Sequence, residues 1–234
     1  MLSKHVNIFH MKIAKGKLEE LYLDGSARIA CPPELIPTPG QYLLAHADGS
    51  NAPLPVPLFF SLPSPQGGFR CAAPLPTDWR PGQSLTIRGP IGHGFTLPPS
   101  ARKVVLVAFD DSPARLLGLI NMALKFNAAI VLVTDSQVGD LPEAVEVQPL
   151  QGLLDALQWA DYAALDVSRE NLNQLSERFT GKEQVTAKLE AQVLIRTLMP
   201  CGALADCGVC ALTIRHDWKM VCKEGPVFEL KEVL

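Results

Sequence analysis

Four of the chain's six cysteines crowd its last part, at Cys201, Cys207, Cys210 and Cys222, while Cys31 and Cys71 stand alone. Their spacing reads C-x5-C-x2-C-x11-C. Three thiolates from one tight loop and a fourth from a separate element suit a [2Fe–2S] cluster, because two sulfide-bridged irons need thiolates arriving from different sides. The plant-type spacing is C-x4-C-x2-C with a distant fourth cysteine. Gly202 and Gly208 fit such a loop, since they tolerate unusual φ/ψ values and let backbone N–H groups face the sulfurs. Zinc also takes four thiolates, but zinc ribbons usually carry two C-x2-C pairs and this chain has one. In a chain of this size without a secretory leader, clustered cysteines point to metal or redox work rather than disulfides. Cys31 and Cys71 read as inert buried thiols.

The rest of the chain must hold that loop in place. Its 234 residues suffice for one large domain or two compact ones. The composition is globular, 47% hydrophobic and 19% charged. A net charge of −3 gives no footing for nucleic acid or an anionic membrane surface. The first residues lack the apolar core of a signal peptide. The longest clean apolar run, Val104 to Phe109, is too short to span a bilayer. The expectation is a cytoplasmic protein.

Most of the 20 prolines precede residue 100, which implies short strands joined by turns. His5–Ile8, Tyr42–His46 and Ser84–Arg88 read as strands, with turn signals at Pro39-Gly40 and Pro81-Gly82. A small antiparallel β-barrel over residues 1–100 suits this pattern. The pattern changes at 101. Lys103–Phe109 is a continuous β-rich run, as in a buried parallel strand. Ser112-Pro113 then opens a helix running to Leu124, and a second buried strand follows at Ala129–Thr134. Strand, helix, strand is a βαβ unit, so residues 101–195 read as a parallel-sheet, nucleotide-type α/β domain. Gln151–Ala160 and Arg169–Phe179 read as further helices, and Gln192–Ile195 as the last strand. Residues 196–234 form the cysteine-bearing domain.

The tail, from Leu198-Met199-Pro200-Cys201-Gly202 through Cys207-Gly208-Val209-Cys210 to Val221-Cys222-Lys223-Glu224-Gly225-Pro226-Val227-Phe228, resembles the iron–sulfur tail of the dihydroorotate dehydrogenase electron transfer subunits, a family of the ferredoxin-reductase superfamily. Gly89-Pro90-Ile91-Gly92-His93-Gly94-Phe95 is similar to the family's turn between barrel and nucleotide domain, and Pro39-Gly40-Gln41-Tyr42 to its Pro-Gly-Gln-Phe. The resemblance implies FAD on the barrel, NAD on the α/β domain, a [2Fe–2S] cluster on the four cysteines, and a hetero-oligomer with an FMN-containing catalytic subunit of pyrimidine biosynthesis. Electron-transfer subunits of sulfite reductases and hydrogenases share this plan.

Three places depart from the family. Where it has a glycine-rich turn for the nicotinamide cofactor, this chain has Ala108-Phe109-Asp110-Asp111-Ser112-Pro113. Glycines let the backbone approach a pyrophosphate, whereas two carboxylates repel it. Asp110 and Asp111 read instead as a helix-capping pair, so NAD is not expected. The flavin motif Arg-x-[Tyr/Phe]-[Ser/Thr] matches Leu58-Phe59-Phe60-Ser61. The candidate FAD contacts Phe59, Phe60 and Ser61 remain, but the arginine is a leucine, and Arg70 or Arg88 must supply any missing charge. The cluster loop has one residue more than the family between its first two cysteines. His93 reads as a solvent-facing loop residue, and His5, His10, His46 and His216 show no partner pattern. The expectation is an electron-transfer subunit with a [2Fe–2S] cluster, FAD possible, working with a flavoprotein partner rather than as a stand-alone NAD(P)H reductase. The alternatives are an electron-transfer subunit of a sulfite reductase- or hydrogenase-type complex, and a non-catalytic adaptor with a structural metal site.

Overall fold

The computed structural model describes residues 11–181, 189–214 and 217–234. The strand expected at His5–Ile8 lies outside them, as do His10 and His216. Six antiparallel strands close a barrel in the order β1-β2-β5-β4-β3-β6. They are β1 (Lys12–Leu21), β2 (Ala27–Ala30), β3 (Tyr42–Ala47), β4 (Val56–Pro63), β5 (Phe69–Cys71) and β6 (Ser84–Ile91). Leu18, Ile29, Leu43, Leu58, Phe60, Phe69, Leu85 and Ile87 fill the interior. The expected turns form just ahead of β3 and β6, with Gly40 at φ 90° and Gly82 at φ 91°.

The second half builds a six-stranded sheet from β7 (Lys103–Ala108), β8 (Ala129–Val133), β9 (Val145–Gln148), β10 (Tyr162–Ser168) and β11 (Glu190–Arg196), with a last strand contributed by the tail. The tail supplies a two-stranded ribbon, β12 (Ala211–Ile214) with β13 (Asp217–Met220), and then β14 (Val227–Glu229). The sheet order is β14-β11-β10-β7-β8-β9, and every pair is parallel except β14 on β11. Helices α1 (Leu117–Lys125), α2 (Leu153–Trp159) and α3 (Leu172–Phe179) connect the strands. Each is shorter than the helical pattern suggests, because a 3-10 turn precedes it: Pro113–Arg115, Leu150–Gly152 and Arg169–Asn171. Ser112 caps the first turn, its Oγ accepting from the Ala114 N–H at 3.3 Å. The strand order reverses between β7 and β10, which is where open sheets of this kind form a ligand crevice at their carboxyl ends.

One core joins the two halves. On β3, Leu43 and Ala45 face the barrel interior, while Tyr42 and Leu44 point outward, as the two-residue period requires. Those outward residues meet Ile91, Met199, Cys210 and Cys222 in the same apolar cluster that fills the parallel sheet. The strand carrying the barrel's outer wall therefore also forms a wall of the cysteine-bearing segment. No helix among the described residues is long and apolar enough to cross a membrane.

Candidate metal centre

The cysteine loop follows β11 directly. Met199 anchors its start in the core, at 4% exposure, and the Gly202 N–H donates to the Met199 carbonyl at 3.1 Å. Cys201 to Leu204 form a tight turn closed by the Leu204 N–H on the Cys201 carbonyl at 3.2 Å. Both central residues are left-handed, Gly202 at φ 49° and Ala203 at φ 67°. A β-carbon on Gly202 would stand 2.1 Å from Leu44 Cδ1 and 2.6 Å from Arg88 Nη2, so the loop backbone lies directly on the barrel wall. Only glycine fits there. Arg88 holds the contact, Nη2 donating to the Cys201 carbonyl at 2.9 Å.

The four thiols meet as two pairs. Cys207 Sγ lies 3.5 Å from Cys201 Sγ, and Cys210 Sγ lies 3.3 Å from Cys222 Sγ. Cys201 and Cys222 also interact across the pairs. The extra residue between Cys201 and Cys207 therefore does not separate their sulfurs. Cys210 and Cys222 are buried, Cys201 is half-buried and Cys207 is exposed, so the site has a dry side against the core and a wet rim. Burial pushes the Cys222 thiol up to about 12. Burial raises Cys201 as well, but hydrogen bonding with the backbone at Ala205, with Cys207 and with the backbone at Ala203 outweighs it and leaves that thiol below its ordinary value.

Cys222 arrives on a single helical turn, Val221–Glu224, which is clamped to the Gly92–Gly94 turn. The His93 N–H donates to the Gly225 carbonyl at 2.7 Å, and His93 Nδ1 donates to the Glu224 carbonyl at 2.9 Å. His93 is exposed, as expected, but its ring is engaged in holding a cysteine-bearing turn. Charge gathers round the loop: Arg169 Nη1 donates to the Val209 carbonyl at 3.0 Å, and Lys223 pairs with Asp206.

These residues fit a two-iron cluster. A tetrahedral ion with metal–sulfur bonds of ~2.3 Å holds two thiolates ~3.8 Å apart, close to the spacing within each pair. Two pairs supply two ions. Among the described residues, no three His, Cys, Asp or Glu side chains converge as a single ion would need.

The flavin candidates stand differently. Phe59, Phe60 and Ser61 on β4 are 8%, 6% and 1% exposed. Phe60 stacks on Phe69 inside the barrel, their ring centroids 6.0 Å apart, and Phe59 packs on Tyr42. Helix α1 covers the strand: a β-carbon on Gly118 would lie 2.6 Å from Phe60 Cε1 and 3.0 Å from the Ser61 carbonyl. Arg115 crosses to the Ala73 carbonyl at 2.8 Å. The open cleft of about 450 Å³ is lined by Gln41, His93, Thr96, Gln192 and Lys219 among others, and β4 does not reach it. A flavin ring over Phe60 and Ser61 would meet α1 packed on that strand. Neither arginine offered for the missing charge is free for it: Arg70 pairs with Asp24 and lies over the Tyr22 ring, and Arg88 holds the cysteine loop.

The crevice at the reversal of strand order is filled by the chain's own ions. Buried Asp166, at the end of β10, accepts from Arg115 Nε at 2.8 Å and from Arg196 Nε at 2.7 Å. Arg115 also pairs with Asp111 at 2.8 Å, and Arg196 pairs with Asp110. Asp110 does not cap its own helix. Its Oδ2 accepts from Ser168 N, Ser168 Oγ and Asn171 Nδ2, so it caps the turn after β10 instead. Burial raises Asp110, but these hydrogen bonds and the Arg196 charge outweigh it and hold the carboxyl below its ordinary range.

Sequence reasoning overlooked three residues at the cysteine site. Arg88 and Tyr42 read from sequence as strand residues, Arg88 also as a charge for a flavin and Tyr42 as part of the Pro-Gly-Gln-Tyr motif, and neither signals the cysteines. Ala203 carries no sequence signal for a left-handed backbone.

Known proteins resemble both the tail and the fold that carries it. Residues 197–234 match the family model described as the iron–sulfur cluster binding domain of dihydroorotate dehydrogenase B. The whole fold is similar to a chain in the structure of the NADH-dependent reduced ferredoxin-NADP oxidoreductase, a study of flavin-based electron bifurcation, at 16% identity and TM-score 0.73 over 94% of this chain and 90% of that one. It is also similar to the ferredoxin reductase in carbazole 1,9a-dioxygenase, at 14% identity and TM-score 0.59 over 74% and 66%. A third likeness is to the ferredoxin-NADP+ reductase from Plasmodium falciparum, at 7% identity and TM-score 0.56 over 78% and 96%. Residues 197–234 thus match an iron–sulfur cluster binding domain, carried on a fold similar to that of ferredoxin reductases.

Proposed function

We propose that this chain is an electron-transfer subunit that holds a [2Fe–2S] cluster on Cys201, Cys207, Cys210 and Cys222 and exchanges electrons with a flavoprotein partner. The partner suggested by the tail is an FMN-containing subunit like the catalytic subunit of dihydroorotate dehydrogenase, acting in pyrimidine biosynthesis. The two thiol pairs carry the reading. In it, residues 1–100 form the barrel, 101–195 a nucleotide-type domain with its crevice closed, and 196–234 the cluster domain. The setting is cytoplasmic, where six free cysteines stay reduced.

When bound, the cluster would supply a one-electron carrier whose potential depends on its charge, hydrogen bonds and solvent exposure. The chain's own residues set all three. Arg88, Arg169 and Lys223 place positive charge around an anionic site. The backbone at Ala203 and Ala205 lies against the Cys201 sulfur. The core covers Cys210 and Cys222, while Cys207 sits at the rim beside exposed Leu204 and Val209, which suits a partner docking close to that edge.

Co-purification followed by iron, sulfide, zinc and flavin quantitation tests the reading. The expected result is two irons and two sulfides per chain, with absorbance between about 400 and 550 nm. One zinc and no sulfide would leave a structural metal site on an adaptor. Flavin in the same preparation tests the FAD expectation directly. Reduction of a dye by NADH with the chain alone would contradict the closed crevice.

A further inference from the structure

Tyr42 is fully buried, at 0% exposure, and its hydroxyl has no hydrogen-bond partner. Leaving a buried hydroxyl unpaired costs ~1–3 kcal/mol, and native proteins pair nearly all such groups. The other buried, unpaired side-chain atom among the described residues is Arg28 Nε, and Nη2 of that guanidinium donates to Glu19 and Glu20. Tyr42 has no second polar atom to compensate.

Its position shows what could pair with it. Tyr42 points out of the barrel on the same face as Leu44, the residue that contacts the Gly202 backbone. Its ring leans on Phe59, the centroids 5.3 Å apart. Tyr42 shares its apolar cluster with Cys210 and Cys222, and its hydroxyl lies within the electrostatic field of Cys222, Cys210, Cys201 and Arg88. A neutral tyrosine hydroxyl carries one O–H donor, so it can donate to an anionic acceptor.

We propose that the Tyr42 hydroxyl donates a hydrogen bond to a sulfur of the [2Fe–2S] site formed by Cys201, Cys207, Cys210 and Cys222, and thereby raises its reduction potential. The inference rests on the cluster reading. Reduction adds one negative charge to the site, and a fixed donor in a dry environment stabilises the more negative state more strongly. Hydrogen bonds to cluster sulfurs are among the factors that set such potentials. Tyr42 would thus be a positioning and tuning residue, binding no substrate of its own.

Wild type and Tyr42→Phe are purified, their iron and sulfide measured, and their midpoint potentials compared by titration followed by electron paramagnetic resonance. The expected outcome is equal iron per chain and a lower potential in the variant. Its reduction equilibrium against a fixed mediator should shift about tenfold toward the oxidised form, which is about 59 mV for one electron. Equal potentials at equal loading overturn the hydrogen bond and leave the cluster reading standing. Iron-free wild type overturns both. If Tyr42→Phe does not fold, replacing the chain's three tyrosines with 3-fluorotyrosine asks the same question in the native fold. The more acidic hydroxyl is a stronger donor, so the potential should rise, and no rise overturns the proposal.

Discussion

The cysteine loop and the crevice at the end of the parallel strands occupy opposite conditions in one molecule. In the loop, four thiols meet as two pairs, and the core cluster that holds Cys210 and Cys222 also holds Tyr42 with its unpaired hydroxyl. In the crevice, Asp110, Asp111, Asp166, Arg115 and Arg196 pair with one another. A site kept for a ligand shows groups whose partners are missing, while a site closed by its own chain shows a complete internal set. The same fold can therefore keep one site and close the other, and fold alone does not say which.

The largest effect expected is at the cysteines. Cys222→Ser removes half of the buried pair and exchanges a soft thiolate for a hydroxyl. We expect iron and sulfide content to fall to background, with the far-ultraviolet circular dichroism of barrel and sheet retained. A variant with wild-type iron content would break the assignment of Cys222.

Next is Asp166→Ala. Asp166 is 1% exposed and pairs with both arginines, so its loss leaves the buried Arg115 and the partly buried Arg196 short of a partner. Breaking a buried pair in this way typically costs ~3–5 kcal/mol. Urea denaturation followed by fluorescence measures it. A cost below ~1 kcal/mol would mean that water reaches the crevice, and the contrast with the cysteine loop would lose its basis.

Gly118→Ala sharpens the contrast at the barrel. In a free helix the change gains about 1 kcal/mol. Here the new β-carbon meets the Phe60 ring at 2.6 Å and the Ser61 backbone at 3.0 Å, and overpacking of this kind costs ~1–3 kcal/mol. The clash outweighs the propensity, so a net loss of about 1 kcal/mol is expected in the same denaturation experiment. A net gain would show that α1 sits away from β4, and the strand carrying Phe59, Phe60 and Ser61 would then be open to a flavin.

Much of this was legible in the sequence. The apolar runs at Lys103–Phe109 and Ala129–Thr134 announce β7 and β8, and the cysteine spacing announces the metal centre. The central strand β10 was not legible, because Ala163 and Ala164 have low strand propensity and are accommodated by burial between β7 and β11. β1 escaped for the opposite reason: Lys12, Lys15, Lys17, Glu19 and Glu20 obscure the alternation of a strand whose inward residue Leu18 is fully buried. The fate of Asp110 and Asp111 could not be read either. Whether two adjacent carboxylates cap a helix or pair across a sheet depends on Arg196 and Ser168, which are far away in the chain and near only after folding.

The smallest effect concerns Asp110 and pH. Its folded pKa lies below the ordinary carboxylate value because hydrogen bonds from Ser168 and Asn171 and the charge of Arg196 together outweigh the cost of its burial. A carboxylate depressed in the folded state binds fewer protons there than in the unfolded chain. Its stabilisation is therefore complete above the unfolded value of ~3.9 and is lost as the pH falls through the folded pKa. Between pH 7 and 5 the group contributes no slope. Below about pH 4 the wild-type urea midpoint should fall more steeply than that of Asp110→Asn, which has no carboxylate to protonate. This acid-labile increment belongs to the crevice, where Asp110 lies. Parallel curves for the two proteins down to pH 2 would show that Asp110 is solvated in the folded state, and that the crevice is less completely closed than its ion pairs indicate.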